Sequence, residues 1–272
     1  MTLKIDAAFT AGVLSAFIRE ELLKSGYKKG IVGLSGGLDS SVCATLAAEA
    51  LGPKNVTALI MPYKDAFGRD VRDARMIAGR LGIRARVIDI SPMVDAYFSR
   101  YPTDNRVRIG NKMARERMSI LYDFSVVEKA LILGTSNKSE LLIGYGTIHG
   151  DTACAINPLG DLYKTQIHAL AVHLKVPAAI RKKRPTAGLW PGQTDEGEIG
   201  LTYAQLDAIL FQLVDERKPA EAVIAAGAER KAVKKVVSLI KKSEFKRKMP
   251  PIAKISSRTV GHDFLYPYDR NK

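Results

Sequence analysis

Gly30-Ile31-Val32-Gly33-Leu34-Ser35-Gly36-Gly37-Leu38-Asp39-Ser40-Ser41 is the stretch that decides how this chain is read. Residues 30–34 form a short apolar run of the kind that makes a buried parallel strand. Residues 40–51 are Ala-rich and helical in pattern, and Gly52-Pro53 stops them. A glycine-rich turn lies between. A turn that leaves a strand and opens a helix aims free backbone N–H groups at one point, and the helix dipole adds roughly half a positive charge there. Gly36 and Gly37 permit close backbone approach, and Ser35, Ser40 and Ser41 can donate hydroxyl hydrogen bonds. The stretch therefore predicts a phosphate cradle. It is not a Walker loop, which ends in Gly-Lys-Ser/Thr. Asp39 stands where a cation would be expected, and a bridging Mg2+ supplies a reason for an anion there.

Outward from this turn, strands and helices alternate. Residues 56–61, 86–90 and 131–133 read as further strands. Residues 5–23, 70–81 and 111–129 read as helices, the first with an apolar set at Ile5, Phe9, Val13, Phe17, Leu22 and Leu23. This alternation predicts an α/β fold: a doubly wound, mostly parallel sheet with flanking helices and a ligand site at the carboxyl ends of its strands. After Asp161 the pattern changes. Helices are expected over 162–174, 203–214 and 228–242, a long loop over 177–200, and an irregular basic tail over 243–272. The expected organisation is a single domain over 1–272. It comprises an α/β nucleotide-binding body (1–175), a mobile loop (176–200) and a helical, basic C-terminal part (201–272).

Composition narrows the class. The 272 residues are 46% apolar and 26% charged, which suits a folded globular chain. No apolar run approaches the roughly 18 residues of a membrane span, and charged residues on a helical pattern at the N-terminus argue against a signal peptide. Cys43 and Cys154 cannot build a disulfide framework or a four-ligand zinc site, so the expected compartment is the cytoplasm. The net charge is +14, and residues 217–272 alone hold 15 Lys/Arg against 5 Asp/Glu. Such a balance suits nucleic acid, a phosphorylated substrate or simple solubility. The four histidines at 149, 168, 173 and 262 show no metal spacing, and His168 and His173 read as surface residues.

Four later segments carry the rest of the chemistry: Asn111-Lys112-Met113-Ala114-Arg115-Glu116-Arg117-Met118, Leu133-Gly134-Thr135-Ser136-Asn137-Lys138-Ser139-Glu140, Asn157-Pro158-Leu159-Gly160-Asp161-Leu162-Tyr163-Lys164-Thr165, and Arg184-Pro185-Thr186-Ala187-Gly188-Leu189-Trp190-Pro191-Gly192-Gln193-Thr194-Asp195-Glu196. The Ser-Gly-Gly-x-Asp-Ser string resembles the pyrophosphate loop of the N-type ATP pyrophosphatases. With the four segments in order, the chain resembles the ammonia-dependent NAD synthetases from about residue 10 to residue 256. The resemblance implies the adenine nucleotide alpha hydrolase-like fold. It also implies amidation of deamido-NAD with ammonia through a substrate adenylate, releasing AMP and pyrophosphate.

Roles follow from the resemblance residue by residue. Gly33, Leu34, Ser35, Gly36, Gly37, Leu38, Asp39 and Ser40 match the ATP loop. Thr135, Lys164 and Thr186 match further ATP contacts. Asp39 and Glu140 match Mg2+ ligands, while Arg115, Asp151 and Lys246 match contacts to deamido-NAD. No protein nucleophile is implied, and positioning with charge neutralisation carries the reaction. A homodimer is implied, with no membrane partner and no role for nucleic acid. The nitrogen donor is expected to be ammonia, since no glutamine-hydrolysing module is recognised.

The chain departs from the family pattern where Tyr145-Gly146-Thr147-Ile148-His149-Gly150-Asp151-Thr152-Ala153-Cys154-Ala155 replaces a more polar string. Family substrate contacts fall on Ile148, Ala155 and Phe245. The segment resembles a branch with a Gly-Tyr-Gly-Thr pattern and the same activity. The alternatives are a paralogue that amidates another carboxylate, or a tRNA-modifying ATP pyrophosphatase.

Overall fold

The structure is a computed structural model that describes residues 3–64, 68–190 and 192–261. Its elements run α1 (Ala7–Lys24), β1 (Lys29–Gly33), α2 (Leu38–Leu51), β2 (Val56–Ile60), α3 (Gly68–Leu81), β3 (Arg84–Val87), α4 (Ser91–Arg100), α5 (Arg106–Glu128), β4 (Ala130–Leu133), α6 (Lys138–Ile143), α7 (Lys164–His173), α8 (Ala178–Arg181), α9 (Asp195–Ile199), α10 (Tyr203–Leu210), α11 (Ala220–Ala225) and α12 (Arg230–Lys242). Among the described residues the strands form one sheet in the order β3-β2-β1-β4, and every pairing is parallel. Leu133 also bridges to Ile156 beyond β4. The strand order reverses between β1 and β4. The crevice at their carboxyl ends is where a doubly wound sheet receives its ligand.

Alternating side chains on each strand serve two cores. Val32, Ala58, Ile60 and Leu133 face one side, where Ile18, Leu22, Val42, Leu46, Ile77, Ile167 and Leu170 of α1, α2, α3 and α7 cover them. Ile31, Leu59 and Ile132 face the other, against Val94 of α4 and Met113 of α5. A third cluster joins α6 and α9–α12 through Ile143, Tyr203, Leu206, Leu210, Val233 and Val236, with Tyr163 at the start of α7.

Several expectations need correction. In α1 the buried residues are Ala11, Ile18 and Leu22, whereas Phe9, Val13, Phe17 and Leu23 are exposed. Apolar spacing located the helix, and of its apolar set Leu22 is buried and Ile5 packs partly on the core, while the other four face outward. The third strand starts two residues before its expected place and ends at Val87, although Ile88 and Ile90 still donate to the Ile60 and Pro62 carbonyls beyond β2. It is an exposed edge strand whose Arg84 and Arg86 pair with Glu128 at 3.0 and 3.3 Å, so it lacks the apolar signature of the inner strands. The 177–200 segment holds α8 and α9 rather than loop alone. The 203–214 helix changes after Leu210 into a π turn over Phe211–Asp215. Helices α4, α6 and α11 had no counterpart in the sequence reading. His262 and Pro191 lie outside the described residues.

Candidate active site

The glycine turn after β1 is closed by its own side chains. Leu34 N donates to Leu59 O and extends the strand ladder. Ser40 Oγ lies 3.0 Å from Ser35 Oγ and accepts from Ser35 N, and Ser41 Oγ donates to Gly37 O at 2.7 Å. Ser41, fully buried, is thus part of the scaffold rather than an open donor. Gly36 has φ +76°, and a Cβ there would lie 2.3 Å from the Asp70 carbonyl oxygen. Glycine is required twice over, by the backbone conformation and by the approach of α3. Gly37 caps α2 with no side-chain hydrogen bond, which leaves first-turn N–H groups of a 14-residue helix directed at the turn.

Three elements meet at the first turn of α2. Asp39 forms an ion pair through Oδ2 with Lys164 Nζ and accepts from Asn137 Nδ2 through Oδ1 at 3.2 Å. Asn137 caps α6 by accepting from Glu140 N, and the Glu140 carboxylate accepts from Asn137 N, a capping box that fixes Glu140 beside Asp39. Lys164, the first residue of α7 and 4% exposed, is 3.6 Å from Glu140 Oε1 and has its ammonium over the Tyr203 ring at 5.3 Å.

Electrostatics follow from this crowding. Burial, with Asp39 and Asp195 nearby, pushes the Glu140 carboxyl up to about 8, against the pull of Lys164. Burial works against the Lys164 ammonium, but Asp39 and Glu140 outweigh it and hold its pKa above the ordinary lysine range. Burial raises Asp195 as well. With all three carboxylates ionised they would exceed the one ammonium by two negative charges, and the raised Glu140 and Asp195 carboxyls answer that excess in the metal-free chain. Among the described residues no group of three or more His, Cys, Asp or Glu is placed to hold a metal by itself. Two hard oxygen donors with excess negative charge suit Mg2+, which is usually held by one or two carboxylates plus substrate phosphates and water.

A cavity of about 560 Å3 opens over this cluster, within the range of small-molecule sites. Every predicted site residue lines it except Gly36 and Arg115. Arg115 is exposed on α5 and donates to Ile148 O at 3.3 Å. Asp151 is surrounded by protein yet turns accessible surface to the cavity. Burial raises its pKa, and its Oδ1 accepts from Thr147 N at 2.7 Å. Lys246 Nζ reaches the wall from the C-terminal segment and donates to the Gly144 and Gly146 carbonyls at 2.8 and 2.7 Å. Ile148, Ala155 and Phe245 do not line the cavity, and Phe245 is 62% exposed.

The structure adds residues that the sequence reading missed as site residues. Tyr203, Asp195, Tyr145, Lys183, Arg117 and Asn137 all lie at or beside the cavity. Lys183 ties the segment carrying Thr186 to the glycine turn. Its Nζ contacts Asp70 at 2.6 Å, Asp73 at 2.8 Å and Gly36 O at 3.1 Å. Arg117 donates through Nε to Met61 O, and burial lowers its pKa to about 10. Four of these had a visible signal: Asn137 in its Asn-x-x-Glu spacing, Arg117 and Asp195 within the segments that carry the family resemblance, and Tyr145 at the head of the string that departs from it. His168, expected on the surface, is half-buried in the cavity wall, where burial and Lys164 lower its pKa.

The sequence matches the NAD synthase family over residues 11–250. The chain belongs to that family. It is 47% identical over 270 residues to an NH(3)-dependent NAD(+) synthetase of Trichlorobacter lovleyi, covering 99% of each chain. Among solved structures it resembles an NH3-dependent NAD synthetase from Campylobacter jejuni, with TM-score 0.79 and 34% identity, covering 92% of this chain and 100% of that one. It also resembles an NMN synthetase from Francisella tularensis, with TM-score 0.82 and 32% identity, covering 92% and 99%. Membership accounts for a parallel sheet with its cavity at the β1–β4 reversal.

Proposed function

We propose that this NAD synthase family member is an ammonia-dependent NAD synthetase. It converts deamido-NAD, ATP and ammonia to NAD, AMP and pyrophosphate. The observation that carries the reading is the convergence of the glycine turn, Asp39, Glu140 and Lys164 in one cavity, on a chain matched end to end by curated relatives of that name.

The reaction needs no protein nucleophile. The nicotinate carboxylate attacks the α-phosphorus of ATP, and the bond to the β-phosphate oxygen breaks. Ammonia then attacks the acyl carbon, loses a proton and displaces AMP. The glycine turn and the α2 N-terminus receive the departing pyrophosphate, with Lys164 as a point charge and Thr135 and Thr186 as hydroxyl donors. Asp39 and Glu140 would hold Mg2+, whose charge offsets that of the phosphates. Lys246 and Asp151 also line the cavity and would contact the acceptor dinucleotide. Holding two substrates in line converts the first step to an intramolecular one, a gain of up to about 7–11 kcal/mol. The direct test is NAD and AMP formation from ATP, deamido-NAD and ammonium. A folded, ATP-binding protein that forms no AMP would overturn the assignment.

A second reading is the same chemistry on the deamidated mononucleotide. It is favoured by the likeness to an NMN synthetase and by apolar Ile148, Ala155 and Phe245 at family contact positions. The 47% identity to a named NAD synthetase favours the dinucleotide. Competition between the two acceptors in one assay decides by the ratio of kcat/KM.

We also propose a cytoplasmic homodimer. Val107, Tyr122, Val126 and Val127 expose apolar surface on α5, the helix that carries Arg115 outside the cavity. Among the described residues no helix is long and apolar enough to cross a membrane. Sedimentation equilibrium tests the dimer.

A further inference from the structure

We propose that Tyr203 is a positioning residue that couples Glu140 to α9. Its hydroxyl lies 3.3 Å from Glu140 Oε1 and 3.2 Å from Asp195 Oδ2. A phenol has one proton to donate, so it serves one carboxylate at a time. Glu140 belongs to the proposed cation site, and Asp195 is the first residue of α9. The inference therefore rests on the assignment of Asp39 and Glu140 as cation ligands.

The network beyond Asp195 runs to the segment over the cavity. Tyr145 OH contacts Asp195 Oδ1 at 3.1 Å and Glu198 Oε2 at 2.5 Å. Gln193 Nε2 donates to Glu198 Oε2 at 3.1 Å, and Gln193 Oε1 accepts from Leu189 N at 2.8 Å. Leu189 lies against Gly110 of α5, where a Cβ would meet its Cδ1 at 2.8 Å. One continuous set of polar contacts thus joins Glu140 to the residues following Thr186, with each tyrosine proton shared between two carboxylates. Tyr203 itself is 5% exposed and fixed from three sides: by Lys164 over its ring, by Glu196 Oε1 accepting from its N–H, and by the packing of α10. It cannot follow Glu140 if that carboxylate turns to a cation. Its proton then goes wholly to Asp195 and secures α9. Partners of this kind, which touch a ligand and not the ion, orient the site. Tyr203 stands in none of the segments that carry the family resemblance.

The test is hydrogen–deuterium exchange of the peptide over residues 193–201 in the full chain, with and without Mg2+ plus α,β-methylene-ATP, which cannot be cleaved between those phosphates. In the unsubstituted protein, loading slows exchange in α9. A hydrogen bond to a charged group is worth about tenfold or more, so Tyr203→Phe should lose about that factor of the protection gain. Its nucleotide affinity should change far less. A Tyr203→Phe protein that gains protection as the unsubstituted chain does overturns the proposal. If Tyr203→Phe does not fold, Tyr145→Phe, which removes the other hydroxyl on Asp195, must lower the gain in the same peptide, and an unchanged gain refutes the coupling. Asp39→Asn separates the underlying reading. Loss of Mg2+-dependent nucleotide binding supports it, and unaltered binding overturns the cation site itself, whatever Tyr203 does.

Discussion

Lys164→Met removes the one ammonium that, among the described residues, pairs with Asp39 and Glu140, while keeping the length of the side chain. Lys164 is 4% exposed, so solvent cannot replace it. Breaking a buried pair by removing one partner costs about 3–5 kcal/mol, because the remaining charge is left uncompensated. For 272 residues the unfolding entropy is about 0.6 kcal/mol per kelvin. The expected loss is therefore roughly 5–9 °C in Tm without metal or nucleotide. Mg2+ should reverse part of this loss, since the same carboxylates then offer a cation site with no competing ammonium. The unsubstituted protein should gain less from Mg2+ alone. Asp39→Asn should cost less than Lys164→Met, because Lys164 keeps Glu140 at 3.6 Å. Differential scanning calorimetry of the three proteins, with and without millimolar Mg2+, reads all of this. A Lys164→Met protein with unchanged Tm, or one that Mg2+ destabilises, would refute the charge argument. Its turnover should fall by orders of magnitude even where Mg2+ restores the fold, since the ammonium assigned to the pyrophosphate is gone.

Asp39→Asn and Glu140→Gln should each lose most AMP formation at saturating substrates while retaining native circular dichroism; wild-type turnover in both would remove the two-carboxylate site. Gly36→Ala should abolish ATP binding measured by calorimetry, because its Cβ meets the Asp70 carbonyl at 2.3 Å in a left-handed backbone. Glu140 is raised by burial to about 8, so the metal-free folded chain binds a proton more tightly than the unfolded one. Its contribution to stability must therefore fall as pH rises from the ordinary carboxylate range towards 8, and cation affinity must rise over the same range. Mn2+ titrations between pH 6 and 8.5 check the sign, and a pH-independent affinity would count against it. Lys246→Met should raise KM for the acceptor and Phe245→Ala should not, because Lys246 lines the cavity and Phe245 is exposed.

Legibility followed burial and local spacing. The inner strands and α2 were readable because each is apolar on both sides or bounded by glycine and proline. The edge strand β3 was offset because an exposed strand carries no apolar run to mark its ends. In α1, Phe9, Val13 and Phe17 mimic a core stripe, yet Ala11, Ile18 and Leu22 face α2 and α7. Which stripe turns inward depends on partners far along the chain. The same division holds for the site. Asp39 and Glu140 stand in recognisable local strings, whereas Tyr203 reaches Glu140 only through the packing of α10 on α6. Nothing near Tyr203 in sequence announces that contact, since Glu140 lies 63 residues away.

The basic C-terminal part gains a specific meaning from its contacts. Helix carbonyls at a C-terminus have no partner of their own and attract cations. Arg247 donates from Nη1 to the Leu141 and Leu142 carbonyls at 3.3 and 2.7 Å, and from Nη2 to Ile240 O at 2.9 Å. It therefore joins the last turns of α6 and α12. Lys246 takes the next carbonyls, those of Gly144 and Gly146. Helix α6 is only six residues long, with the Asn137–Glu140 capping box at one end and these two cations at the other. A helix so short has little stability of its own, so both ends must be fixed to hold Glu140 beside Asp39. Part of the positive charge is thus built into the scaffold of the active site. Arg247→Met should then weaken cation binding at Glu140 without touching the cavity. A Mn2+ affinity equal to that of the unsubstituted chain would show that the capping box alone positions α6.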